Sequence, residues 1–156
     1  MAYYDNGRPG GRPDYRRSDN RPQGGYDRNS QPRAAQTMDF PADYVDFAEK
    51  LMAEQSRNIT TSKLRNLLSL LMDVYNVENL RTGSEISPDS ALKLQMARIR
   101  MAYEYGRDRN TKEFMEAAHL LPWLKALGTS REKVLHYIHY MEAIVAYHRF
   151  FGGREN

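Results

Sequence analysis

The chain has 156 residues, no cysteine and a net charge of +3. Without cysteine there are no disulfides, no thiol catalysis and no Cys-based zinc site. No apolar run approaches the ~18–20 residues of a membrane span and the N-terminus lacks a secretory h-region, so a cytoplasmic protein with no membrane partner is expected.

Residues 1–37 carry seven Arg against four Asp and repeat Gly7-Arg8-Pro9, Gly11-Arg12-Pro13 and Asn20-Arg21-Pro22. They contain no Leu, Ile, Val or Phe. Such a segment cannot bury enough apolar area to offset its ordering entropy, and residues 1–38 are expected to form a disordered Arg/Gly/Pro/Tyr-rich tail. Three readings of it stay open: a solubilising tail, an arm contacting RNA through guanidinium and tyrosine rings, or an extension preceding a start at Met38.

From Phe40 onward apolar residues recur at three and four positions, with Gly and Pro between the runs, which predicts an all-α fold. A compact five-helix bundle over residues 39–153 is expected, large enough to bury somewhat over 60% of the surface of its unfolded chain. The first helix is placed at about 41–55, with Pro41 in its first turn and Tyr44, Phe47, Ala48 and Leu51 inward. The second is placed at about 61–75, with Leu64, Leu67, Leu68, Leu71 and Tyr75 inward.

After a linker containing Gly83, Ser87 is read as the cap of a third helix with Pro88 in its first position, ending near Tyr105. The pair Asn110 and Glu113 opens a fourth helix, which Pro122 should bend or split near His119–Trp123 and Gly128 closes. Thr129-Ser130-Arg131-Glu132 reads as a capping box before a fifth helix that stops at Gly152-Gly153. Apolar residues surround that helix, which places it centrally.

The folded part holds 16 basic and 16 acidic residues, so attraction to a polyanion requires charge gathered on one face. On the third helix, Lys93, Arg100 and Arg107 lie within about 40° of one another at intervals of about 10.5 Å, a line able to reach successive phosphates without reading bases. The bland alternative is a solvated face laced by pairs such as Arg100 with Glu104. Arg98 points elsewhere, between apolar arcs, and Glu142 on the fifth helix is its candidate partner. At the start of the second helix, Thr60, Thr61, Lys63 and Arg65 fit an anion site, and simple capping explains the threonines equally well.

His139 and Glu142 stand three residues apart on one helix, but a di-iron bundle needs a second such pair and two more inward glutamates, which the sequence lacks. No nucleophile–base grouping, phosphate-cradling glycine loop or magnesium-type carboxylate cluster stands out. Neither catalysis, nor a metal, nor a cofactor is expected.

Three stretches resemble the small subunit of the type III-A CRISPR effector, the Csm complex. Its pattern I-T-x-S-K-[IL]-R is matched at Ile59, Thr60, Ser62, Lys63 and Arg65. A helix with Y-E-x-G-R is matched at Tyr103, Glu104, Gly106 and Arg107. The closing A-x-V-A-Y-H-[KR]-[FY]-x-G-G is matched at Ala143, Val145, Ala146, Tyr147, His148, Arg149, Phe150, Gly152 and Gly153. The resemblance covers about residues 40–153 and reaches neither the tail nor, diagnostically, residues 76–90.

What the resemblance implies is a non-catalytic helical subunit of an antiviral ribonucleoprotein, present in several copies beside the backbone and large subunits and lining the path of guide and target RNA. Lys63, Arg65, Arg98, Arg100 and Arg107 are then the candidate RNA contacts, with Lys93 and Arg109 behind them. The rival reading is a helical protein–protein interaction module that never meets RNA.

Overall fold

The computed structural model describes Gly10 and residues 39–156. The expected disorder of the tail and the reading of Met38 as a start lie outside the described residues. Six helices, not five, form among the described residues: α1 (Tyr44–Gln55), α2 (Thr61–Glu78), α3 (Pro88–Arg107), α4 (Arg109–Ala117), α5 (Leu120–Ala126) and α6 (Arg131–Phe150). The described residues contain no strand, only an isolated antiparallel bridge between Glu85 and Ser130.

Local chemistry accounts for most helix starts. Thr60, Ser87, Asp108 and Ser130 each accept a hydrogen bond from the backbone amide three residues on, satisfying one of the donors that a helix start leaves free. Pro88 fills the first position of α3 as expected. Three expected starts shift. Asp108, not Asn110, caps α4; Ser130, not Thr129, caps α6, which puts Lys133 where the expected box needed Glu132; and α1 begins at Tyr44, three residues after Pro41.

The expected fourth helix is divided near His119, as Pro122 requires: a continuous helix would need its missing amide at the Ala118 carbonyl, whereas in the first turn of α5 the lack of that amide costs nothing. The break is at His119, whose φ of 53° is left-handed, a region that His tolerates better than most residues. Pro122 leaves the Ala118 carbonyl without a helical donor, and Tyr140 Oη of α6 donates to it at 2.9 Å, while Tyr137 Oη donates to Leu120 O, within α5, at 2.8 Å. Burial pushes both phenols far above their ordinary range, so they stay protonated as donors.

α6 is central, as its apolar wheel predicts: α1 and α2 pack against it, α3 packs on α2, and α4 and α5 pack on α3. Phe40, Phe47, Trp123 and Tyr140 form an aromatic knot in the core, with Phe47 and Trp123 centroids 5.0 Å apart and Trp123 and Tyr140 5.3 Å apart. Each buried aromatic of this kind contributes about 1.5–3 kcal/mol relative to exposure. At the end of α6 the expectation fails for Phe150, which is exposed.

α2 runs three residues further than expected, and its last residue, Glu78, is fully buried. Its carboxylate accepts from both Arg81 Nη1 (3.1 and 3.0 Å) and the Ser87 amide (3.0 Å), while Arg131 Nε donates to the Glu78 carbonyl at 2.8 Å. One glutamate thus joins the end of α2, the linker and the start of α6. Burial pushes its carboxyl up, but the neighbouring Ser90, Ser87 and Arg81 outweigh that and hold it below the ordinary glutamate value.

Candidate nucleic-acid interface

α2, α3 and α4 enclose a cleft of about 370 Å³. Lys63, Asn66 and Ser69 line it from α2, Arg100, Tyr103 and Glu104 from α3, and Thr111 from α4, with Leu67 and Leu70 among its apolar lining. Helical spacing explains the α2 set, since positions 63, 66 and 70 share one side at three- and four-residue steps. The cleft brings together two cations, an amide, two hydroxyls, a phenol and one carboxylate, Glu104, which is paired with Arg107.

The cations differ in freedom. Lys63 Nζ forms an ion pair with Asp108, whose Oδ2 also accepts from Thr111 N at 3.0 Å and Thr111 Oγ1 at 2.6 Å. Those contacts, the Lys63 ammonium foremost, hold the Asp108 carboxyl well below the usual carboxylate range. Arg100 is exposed and makes no ion pair among the described residues, because Glu104 pairs with Arg107 at 3.5 Å instead of with Arg100.

The other sequence candidates are dispersed. Arg65 is exposed on α2, but two helical steps turn it about 160° from Lys63, away from the cleft. Arg98 is half-buried and forms no pair with Glu142 among the described residues. Lys93 pairs with Asp89 at 3.2 Å and Arg109 with Glu113 at 2.8 Å. The expected line of Lys93, Arg100 and Arg107 therefore exists on α3 with both ends paired and its middle residue open.

The start of α2 is already occupied. The Thr61 amide donates to Arg154 O at 2.8 Å, and Ser62 Oγ reaches Asn156 Oδ1 at 3.3 Å, so the C-terminal segment fills the position considered for a phosphate. His148 is buried there, with Nε2 2.8 Å from Ile59 O and Nδ1 3.3 Å from Thr61 Oγ1. The remaining histidines pack on rings: His119 on Trp123, His136 on Tyr44 and His139 on Tyr75. Among the described residues no group of three or more His, Asp or Glu is placed to hold a metal ion, and no helix is long and apolar enough to cross a membrane.

Two participants escape the sequence reading. Tyr103 presents an exposed ring at the cleft, and Asp108 restrains Lys63 across 45 residues. Asp108 has a local signature, a carboxylate three residues before Thr111 at a helix start, whereas its pairing with Lys63 has none.

An all-helical bundle with a small cationic cleft between three helices, and motif residues knitted around its terminal helix, defines a small helical subunit. The chain belongs to the Csm2 Type III-A family, whose model matches residues 39–154. It is 33% identical over 118 residues to the CRISPR system Cms protein Csm2 of Streptococcus thermophilus, spanning 72% of this chain and 93% of that protein. To the protein of the same name from Mycobacterium tuberculosis (strain ATCC 25618 / H37Rv) it is 31% identical over 117 residues, 72% of this chain and 94% of the relative. The Enterococcus italicus protein is 31% identical over 123 residues, 69% and 88% of the two chains. The family places the chain as a small subunit of a type III-A CRISPR effector.

Proposed function

We propose that the chain is a non-catalytic subunit that grips the backbone of guide and target RNA without sequence preference and supports assembly of the effector with its backbone and large subunits and further copies of itself. The observation that carries this is Arg100, exposed and in no ion pair among the described residues, at the cleft that also holds Lys63, Asn66, Ser69, Tyr103 and the Arg107-paired Glu104. Guanidinium and ammonium groups bind phosphate oxygens, the amide and hydroxyls suit ribose and phosphate, and a tyrosine face accepts any base. Base pairing then supplies specificity while protein contacts hold register. Of the other basic candidates, Arg107 flanks the cleft on α3 but is paired with Glu104, while Arg65, turned away from the cleft, and half-buried Arg98 would have to meet RNA elsewhere on the surface.

Binding of the full chain to unrelated RNAs across a salt series tests the reading. With about four phosphate contacts the log-log slope is near −3. Arg100→Glu lowers affinity for every RNA alike. A loss confined to one sequence, or a salt-independent affinity, rejects backbone recognition.

A further inference from the structure

The outer face of α3 carries four large apolar side chains that the bundle leaves uncovered: Leu92 (63% exposed), Met96 (48%), Ile99 (62%) and Tyr103 (66%). Their spacing of four, three and four residues confines them to an arc of about 60° and a length of about 16 Å. The inner face of the same helix is independently satisfied, with Ser90, Leu94, Ala97 and Met101 buried. α3 is therefore amphipathic twice over, and of the second stripe the proposed RNA grip uses only Tyr103, leaving Leu92, Met96 and Ile99 without a role. A contiguous apolar stripe on a polar helix marks a contact surface.

The flanks identify what fits it. Lys93, Arg100 and Arg107 run along one side of the stripe at seven-residue intervals; Asp89 pairs with Lys93 and Glu104 with Arg107, so among the described residues Arg100 is the open cation of that flank. Along the other lie Gln95, Ala102 and Gly106, uncharged, with open space where a Gly106 side chain would be. The geometry points to an amphipathic helix of another protein as the occupant, its apolar seam laid on Leu92, Met96, Ile99 and Tyr103 and its acidic residues facing the basic flank.

A second copy answers this charge poorly. Antiparallel pairing of two α3 helices sets basic flank against basic flank, and parallel pairing sets it against Gln95 and Ala102. The outward side of α1 offers acidic Asp46 and Glu49, with Lys50 beside them, and its large exposed apolar residues are Val45 and the adjoining Phe151, two against four. The inference does not rest on the RNA reading.

Two synthetic helical peptides with the same leucine seam, one flanked by glutamates and one by lysines, test it against the full chain by fluorescence anisotropy. The glutamate peptide is expected to bind at least about tenfold more tightly, a difference of roughly 1.4 kcal/mol. Arg100→Glu should reverse the preference and Ile99→Asp abolish binding of both; each position is exposed, and circular dichroism verifies that the variants fold. Equal binding of the peptides, or no binding of either, overturns the proposal. So does self-association in sedimentation that Ile99→Asp removes, which assigns the face to a second copy, or loss of RNA affinity in Ile99→Asp with peptide binding unchanged, which assigns it to RNA.

Discussion

His148, near the end of α6, holds the backbone carbonyl of Ile59 from a distance of 89 residues in sequence, with Nε2 2.8 Å from the oxygen. A carbonyl only accepts, so Nε2 carries the proton and Nδ1 is left facing the Thr61 hydroxyl. Gly153 closes against the ring: a Cβ there would lie 2.3 Å from Nε2. Gly153→Ala must displace the imidazole or the chain after it, and the expected cost is about 1–3 kcal/mol. An unchanged urea midpoint in Gly153→Ala argues against this closure. His148→Ala should lose a similar amount, about 1–3 kcal/mol, because the buried Ile59 carbonyl is left unpaired.

Two phenols of α6 donate to carbonyls on either side of the division between α4 and α5. Tyr140→Phe keeps the packing and strands the Ala118 carbonyl, with an expected loss of about 1–3 kcal/mol, while Tyr137→Phe leaves the Leu120 carbonyl its helical bond and should lose about 0.5–1.5 kcal/mol. The half-buried Tyr147→Phe, for whose hydroxyl no bond is seen, serves as the control and should stay within about 0.5 kcal/mol of the parent. Thermal unfolding of the three variants decides between them, and equal melting points would remove the phenols from the account.

Acid should loosen the bundle through Glu78 and Asp108. Both carboxyls are held below their ordinary values of 4.5 and 3.8 in the folded chain. The stabilisation they contribute is complete above those values and is lost as pH falls below them, because the unfolded chain then binds protons first. Urea unfolding as a function of pH should show a plateau near neutrality and a decline below about pH 4.5. Glu78→Gln should flatten that acid limb and cost about 1.5–3 kcal/mol at neutral pH through weaker bonds to Arg81 and Ser87. An unaltered pH profile in Glu78→Gln counts against this assignment.

Asp108 competes with any phosphate for Lys63. Asp108→Asn retains a capable helix cap and removes the charge, so α4 should persist while Lys63 is released. An exposed ion pair of this type is worth about 0.5–1 kcal/mol, and RNA affinity is expected to rise about two- to fivefold at low salt. A fall in affinity, with helix content intact, would place Asp108 among the RNA contacts and Lys63 outside them.

Features set within one turn of chain were legible in the sequence, and those set between helices were not. Thr60, Ser87 with Pro88, and Gly152, which adopts a φ of 69°, follow from cap chemistry alone. The break follows from Pro122, whereas the phenols of Tyr137 and Tyr140 that bond the carbonyls beside it lie on a helix about twenty residues later and have no local signature. Glu78 reads as a surface acid until Arg81, Ser87 and Arg131 converge on it.

The cleft was partly visible. Lys63 and Arg100 meet there because α2 packs on α3, which sequence periodicity does not specify. The divergence of Arg65 from Lys63 is arithmetic on a helix, overridden by their adjacency in one motif. The spacing of Leu92, Met96, Ile99 and Tyr103 is equally readable, but which of two apolar stripes on α3 faces the core is decided only by the neighbours.

The knot between Ile59 and His148 also orders events during synthesis. α1 and α2 both find their main partner in α6, so the first half of the bundle emerges from the ribosome with its apolar faces bare. Closure waits until α6 has been translated. Chaperone contact during that interval, and sensitivity to truncation from the C-terminal side, follow from the late arrival of the central helix.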